Sequence, residues 1–259
     1  MAIASLMYHD VVAGGDWDAS GFPGPSAASY KFDIDDYARQ LQALADTGLR
    51  FPRLYDLGAD ARDACLITFD DGGASAVAAA RLLDRHGMAG HFMVTGARVG
   101  TPGFVSAADI RALVAGGHVV GSHSHTHPAD ISRLDPAALA AEWRDSVAVL
   151  SDSIGQPVDV ASVPGGFHSP AVGRAAAEAG IVHLFTSEPT TSVGRIDGTR
   201  ILGRYALQRG IASGYVADLA TGRGGARARQ WLLWNAKKPA KRFAGPAYRW
   251  LRRRAFGGT

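Results

Sequence analysis

The sequence predicts an α/β protein: a distorted (β/α)7-type barrel of mainly parallel strands, followed by a basic helical C-terminal tail. Three observations lead there. Seven short runs rich in β-branched and apolar residues recur at 3–8, 65–69, 91–95, 118–121, 158–163, 181–186 and 200–206. Stretches of helical period separate most of them, and such alternation gives a parallel sheet covered by helices; about seven units in roughly 220 residues suit one small barrel. The composition then changes, because 11 of the 27 basic residues lie between Arg223 and Arg254 and no acid follows Asp218. The expected division is therefore a barrel over 1–223 and a basic, aromatic-rich helical tail over 224–259, with the boundary near Gly224.

A chain of 259 residues with 47% hydrophobic content can build a substantial core, which excludes a disordered or fibrous protein. No apolar run approaches the roughly 18 residues of a membrane-spanning helix, and the first residues lack a basic region followed by an apolar stretch. The expectation is a chain neither spanning a membrane nor secreted. The lone cysteine, Cys65, excludes an intrachain disulfide framework and a Cys-based zinc knuckle, and between Ala64 and Leu66 it reads as a buried, inert thiol.

Taken in order, the first strand ends in Met7-Tyr8-His9-Asp10, and 11–31 is an irregular stretch rich in Gly, Ser and Pro. Tyr37, Leu41 and Leu44 recur at spacings of four and three and mark a helix over 34–47. Ser106 with Asp109 forms a capping-box pattern, and Ser169 before Pro170 opens another helix. Gly48, Gly87, Gly117 and Gly180 each follow a helical stretch, where a residue with positive φ is wanted.

In a barrel the chemistry belongs at the C-terminal ends of strands. The run 65–69 ends in Asp70-Asp71-Gly72-Gly73. Neighbouring side chains of a strand point to opposite faces, so both carboxylates address one site only if the strand stops there, as two glycines permit. The alternative is a turn with solvated aspartates. Past the run 118–121, His123, His125 and His127 fall within five residues, ahead of Pro128. Two imidazoles at i and i+4 converge on one ion if the backbone curls, and an extended segment puts all three on one face. The alternative is a histidine-containing surface loop.

Thr68-Phe69-Asp70-Asp71-Gly72 together with His123-Ser124-x-x-His127 resembles the first two motifs of the polysaccharide deacetylases, the family of nodulation-type chitin-oligosaccharide deacetylases. The flanks, from Gly87 to Val94 and from Gly117 to His123, agree, and the likeness runs from about Met7 to Ala220. The resemblance implies one divalent metal ion, zinc foremost among first-row ions, on Asp71, His123 and His127. It also implies that Asp70 is the general base and stays off the metal. Such an ion lowers the pKa of bound water toward about 7 and polarises an acetamide carbonyl. The family's third motif has an arginine before its proline, whereas this chain reads Ser162-Val163-Pro164-Gly165-Gly166-Phe167, so what tunes Asp70 is left open. Gly165 retains an N–H for the oxyanion, and Gly166, Phe167 and His168 are candidate substrate contacts. No histidine follows His183 to match the family's late general acid. Met7-Tyr8-His9-Asp10-Val11 resembles the N-terminal segment of circularly permuted poly-N-acetylglucosamine deacetylases instead, which makes His9 the proposed acid. His86, His91 and His118 read as structural, and His125 as second to the ligands or exposed.

The expected function is removal of N-acetyl or N-formyl groups from an amino-sugar glycan, free or lipid-linked. Two alternatives stay open: a degenerate, non-catalytic glycan-binding protein at a membrane, and a hydrolase of non-sugar amides or imides. The tail, with a helix over 226–238 ended by Pro239 and a second over 246–256, suits an anionic membrane surface. That predicts a cytoplasmic location, peripheral on the inner membrane face. Nucleic acid is not the expected partner, although a basic aromatic patch is compatible with it.

Overall fold

The computed structural model describes residues 2–58 and 61–243, with side chains through Ala236. Its elements run β1 (Ala4–Tyr8), β2 (Val11–Val12), α1 (Pro25–Ala28), β3 (Phe32–Asp33), α2 (Ile34–Ala45), β4 (Cys65–Phe69), α3 (Ala76–Asp84), β5 (Gly90–Val94), α4 (Ala107–Ala115) and β6 (Val119–Ser122). They continue with α5 (Pro136–Ile154), β7 (Val160–Ser162), α6 (Pro170–Glu178), β8 (His183–Phe185), β9 (Val193–Ile196), β10 (Thr199–Leu202), β11 (Tyr205–Ala206), α7 (Ser213–Thr221) and α8 (Ala226–Phe243). One nine-stranded sheet has the order β11-β1-β4-β5-β6-β7-β8-β10-β9. Every pairing in it is parallel except β10 with β9. The expected α/β barrel architecture is therefore present as a curled, mainly parallel sheet.

Period-two alternation sets what each strand buries. On β4, Cys65, Ile67 and Phe69 join a cluster with Tyr37, Leu41 and Leu44 of α2 and Leu83 of α3. Leu66 faces the other way, into a cluster with Met93, Val119, Val160, Phe185 and Leu202 from neighbouring strands. Thr68 and Asp70 continue that alternation to the end of the strand. A third cluster packs Trp143 of α5 and Val172 and Ala176 of α6 against Ala161 and Leu184.

The local signals act as read. The Ser106–Asp109 capping box is formed, and Ser169 accepts from the Val172 N–H; Asp33, which the sequence did not single out, also caps α2 by accepting from the Asp35 N–H. Gly48, Gly87, Gly117 and Gly180 all have positive φ.

Four expectations need correction. The run 200–206 is not one strand: β10 pairs with β8 and β11 with β1, so the chain crosses between the two sides of the sheet at Gly203 and Arg204. Gly203 has no room for a Cβ, which would lie 2.4 Å from the Glu188 carbonyl oxygen. β9 was not expected; it forms a hairpin with β10 across Asp197-Gly198. The stretch 11–31 is bracketed by the short parallel pair of β2 and β3. Buried Lys31 holds it from inside, its Nζ donating to the carbonyls of Trp17, Ser20 and Phe22 at 2.6–2.7 Å. Finally, α8 runs past Pro239 to Phe243. Proline forfeits its own N–H bond and crowds the carbonyl four residues earlier, yet the residues after it keep their donors. The expected second tail helix over 246–256 lies outside the described residues.

Candidate active site

The strand ends of β1, β4, β6, β7 and β10 bring His9, Asp70, Asp71, His123, Ser162 and Arg204 to one end of the sheet. Asp71 leaves β4 with φ 78°, a left-handed conformation uncommon for a residue with a side chain. That turn allows two adjacent carboxylates to face one site. Ser124 and His127 also have positive φ, 61° and 57°. Three of the four non-glycine residues with this conformation among the described residues thus lie in the site, where strained backbone concentrates.

The loop 123–127 is held in its curl from α5. Buried Glu142 accepts the backbone N–H groups of His125 and Thr126 at 2.9 Å through Oε2, and the Thr126 hydroxyl at 2.6 Å through Oε1. Ser124 Oγ accepts the His127 N–H at 3.2 Å. The result turns His123 and His127 together, their ring centres 5.1 Å apart. Each presents Nε2 3.5 Å from Asp71 Oδ1. Asp71, His123 and His127 offer one ligand atom apiece, all within 4.8 Å of one another.

This trio fits a divalent ion by its hydrogen bonding as well as its spacing. Ser162 Oγ donates its single proton to Asp70 Oδ1 at 2.9 Å, so it must accept from His123 Nδ1, 2.6 Å away. That fixes the proton of His123 on Nδ1 and leaves the Nε2 lone pair facing Asp71, the tautomer a metal ligand needs. Burial pushes the His123 imidazole down to about 3, which keeps it neutral. Burial also drives the Asp71 carboxyl up to about 7; Asp10 and Asp70 add repulsion, against the pull of His9 and Lys31. A divalent ion held by this carboxylate and two neutral imidazoles would reverse that balance.

Asp70 is treated differently by its surroundings. Burial alone would raise its carboxyl, but the Arg204 guanidinium outweighs that by charge and hydrogen bond and holds it well below the usual carboxylate range. The Arg204 guanidinium, fully buried, grips it bidentately, Nη1 to Oδ1 at 2.6 Å and Nη2 to Oδ2 at 2.8 Å. Nη1 also donates to Thr68 Oγ1 and Nε to the Thr186 carbonyl, both at 3.1 Å. Planar fork geometry of this kind orients a carboxylate as well as charging it. Arg204 thus holds Asp70, for which the sequence offered no third-motif arginine. It was missed because it reaches Asp70 across 134 residues of sequence and sits inside what reads as a continuous strand. Ser162, Glu142 and Asp10 likewise act on residues that only the fold brings beside them. Asp10 is buried and accepts from Ser20 Oγ and Ser75 Oγ at 2.6 and 2.8 Å, tying the 11–31 loop to the turn after β4.

His9 stacks on Tyr30 with ring centres 4.8 Å apart, and its Nδ1 is buried with no hydrogen-bond partner. It is close enough for its charge to act on Asp70, Asp71 and His123. Gly165 and Gly166 follow β7 in a short turn with φ 63° and 72°. Phe167 packs on the cluster around Trp143. His168 lies beside Gly173 of α6, within electrostatic reach of Glu188, and no described contact joins it to Asp70 or Asp71. His125 donates its N–H to Glu142, and its Nδ1 lies against Gly96, outside the trio. Next to His127, Phe22 lies 4.7 Å from its ring and 5.1 Å from Phe104. These rings, with Pro23, Arg98, Pro102 and Asp18, line an open cavity of about 440 Å³.

Residues 58–184 match the family model described as polysaccharide deacetylase. The match takes in β4 to β8, hence Asp70, Asp71, His123, His127 and Ser162, and leaves His9 and Arg204 outside. No curated protein sequence matches the chain. Among solved structures, the deacetylase PplD of Streptococcus pyogenes, in complex with acetate, superposes with a TM-score of 0.70 at 18% identity, over 85% of this chain and 98% of its own. BC0361, a polysaccharide deacetylase from Bacillus cereus, gives 0.70 at 20% identity, over 85% and 69%. IcaB from Ammonifex degensii gives 0.65 at 23%, over 85% and 97%. At these identities the likeness is one of fold.

Proposed function

We propose, from the premise that this chain carries a polysaccharide deacetylase domain over residues 58–184, that it is a metal-dependent amide hydrolase removing N-acetyl groups from an amino-sugar glycan. The observation that carries this reading is the convergence of Asp71, His123 and His127 beside a second carboxylate, Asp70, that is held off the trio by Arg204.

Asp71 Oδ1, His123 Nε2 and His127 Nε2 are the atoms that would hold the ion, and zinc suits two imidazoles and a carboxylate. When bound, it supplies Lewis acidity toward water and toward the acetamide carbonyl. Asp70 takes the proton from the attacking water at a carboxylate oxygen. Arg204 and Ser162 keep that carboxylate ionised and aimed, which favours orientation and constant charge over basicity. His9 protonates the leaving amine, and the N–H of Gly165 steadies the developing oxyanion. The cavity beside His127, apolar with a few polar groups, is the proposed groove for the sugar chain.

The test is acetate release from poly-N-acetylglucosamine oligomers by protein loaded with Zn²⁺ or Co²⁺, with Asp70→Asn as control. Expected are one bound ion per chain, turnover abolished by a chelator, and loss of turnover in Asp70→Asn with the ion still bound. A protein that binds the ion yet releases acetate from no glycan offered is not a deacetylase of this class.

A further inference from the structure

The first turns of α8 are fixed to the barrel. Arg227 donates to the terminal carbonyls of α7, Nε to Leu219 at 2.7 Å and Nη2 to Ala220 at 2.6 Å. Gln230 Nε2 reaches the Ala206 carbonyl at 2.7 Å, and the Tyr215 hydroxyl donates to the Ala226 carbonyl at 3.1 Å. Directly beyond this anchor, three consecutive large apolar residues face solvent: Trp231, Leu232 and Leu233 are 47%, 61% and 53% exposed. Only Tyr55 and Val182 among the other described residues are large, apolar and comparably exposed, and neither adjoins them in sequence. Arg223 and Arg229 are exposed on the same segment. The sequence then continues with Lys237, Lys238, Lys241, Arg242, Arg249, Arg252, Arg253 and Arg254, and without a single acid after Asp218.

We infer that α8, which this run of cations follows in sequence, forms a docking surface for an anionic phospholipid bilayer. The unbroken positive charge calls for an anionic partner. The exposed Trp231, Leu232 and Leu233 call for one with an apolar interior in which those side chains can be buried. A nucleic acid would reward the cations and leave the leucines in water, and a second copy would set two like-charged tails against each other. No described helix is long and apolar enough to cross a membrane, so α8 lies in the interface. There the apolar side chains enter the acyl boundary, while each cation near the anionic surface strengthens partitioning about fivefold.

Co-sedimentation of the full chain with vesicles tests this. Binding to phosphatidylcholine vesicles containing phosphatidylglycerol should exceed binding to phosphatidylcholine alone by at least about tenfold, and should weaken in 0.5 M salt, where screening shortens the reach of surface charge. The triple variant Trp231→Ser/Leu232→Ser/Leu233→Ser should bind about tenfold more weakly at unchanged Tm, because the residues replaced are exposed. Arg223→Glu/Arg229→Glu should lose affinity only for the anionic vesicles. Equal partitioning into both vesicle types, wild-type binding by the triple variant, or a wild-type dimer that the triple variant dissolves would overturn the inference. So would tighter binding to a single-stranded oligonucleotide than to anionic vesicles.

Discussion

Asp70 and Asp71 are chemically identical neighbours that the fold surrounds with opposite electrostatics. One is clamped by a buried guanidinium, while the other faces two neutral imidazoles and is pushed by burial up to about 7. In the proposed mechanism this separation distinguishes the base from the ligand, and it depends on Arg204, which no local pattern singles out. Arg204→Met should therefore reduce acetate release by a factor of about 10² to 10⁴, the usual worth of a positioned base. Bound metal should stay at one ion per chain, since Arg204 touches none of the three ligands. Removing one partner of a buried ion pair also costs about 3–5 kcal/mol of stability, so the variant should melt earlier. Arg204→Lys, which keeps charge but loses the fork, should recover part of the rate. Metal content by mass spectrometry beside turnover decides the matter: lost metal with lost turnover would place Arg204 in holding the ion instead.

Between secondary elements, the histidine loop shows what was legible and what was not. The strand before it, the turn at Pro128 and the three imidazoles are written locally, so the motif could be read where it stands. The curl that joins His123 to His127 is set by Glu142, 16 residues beyond Thr126 on α5, where an acid beside Asp145 and Asp152 on the same helix looks like any solvated side chain. Likewise the seven strand runs are visible as apolar stretches, but the break at Gly203-Arg204 is not. It arises because β10 and β11 pair with strands toward opposite ends of the sheet order, which is a property of the sheet topology and not of residues 200–206. Replacing Glu142 tests the element-level claim. Glu142→Ala leaves two backbone N–H groups without their acceptor, at about 1–3 kcal/mol each where they stay dry. The loop should relax from the positive φ values at Ser124 and His127. Zinc affinity, measured by competition with a chromogenic chelator, should fall about 10- to 100-fold, as for loss of other groups that orient ligands. An unchanged affinity would mean that the loop holds its curl without α5.

The barrel as a whole carries a neutral histidine in its interior, and this makes its stability depend on pH apart from any catalysis. His91 on β5 is fully buried; its Nε2 accepts the Leu54 N–H at 2.9 Å and its Nδ1 donates to the Ile67 carbonyl at 2.9 Å. Both ring nitrogens are thus committed in the neutral form, and burial pushes the imidazole down to about 4. In the unfolded chain the same group titrates near 6.5. Between those two values the unfolded state binds more protons than the folded one, so stability rises with pH across the window and is lost as pH falls through it. The displacement corresponds to about 3 kcal/mol in full, of which about 2 kcal/mol should be gone between pH 7 and pH 5. His91→Gln can replace one of the two hydrogen bonds and cannot take up the proton, so it should be less stable at pH 7 yet show a shallower fall toward pH 5. Urea unfolding of both proteins in chelator at the two pH values gives the slopes. The metal-site imidazoles titrate alike in both proteins and cancel in the comparison, so parallel slopes would mean that His91 charges within the fold at little cost and that the barrel interior admits water there.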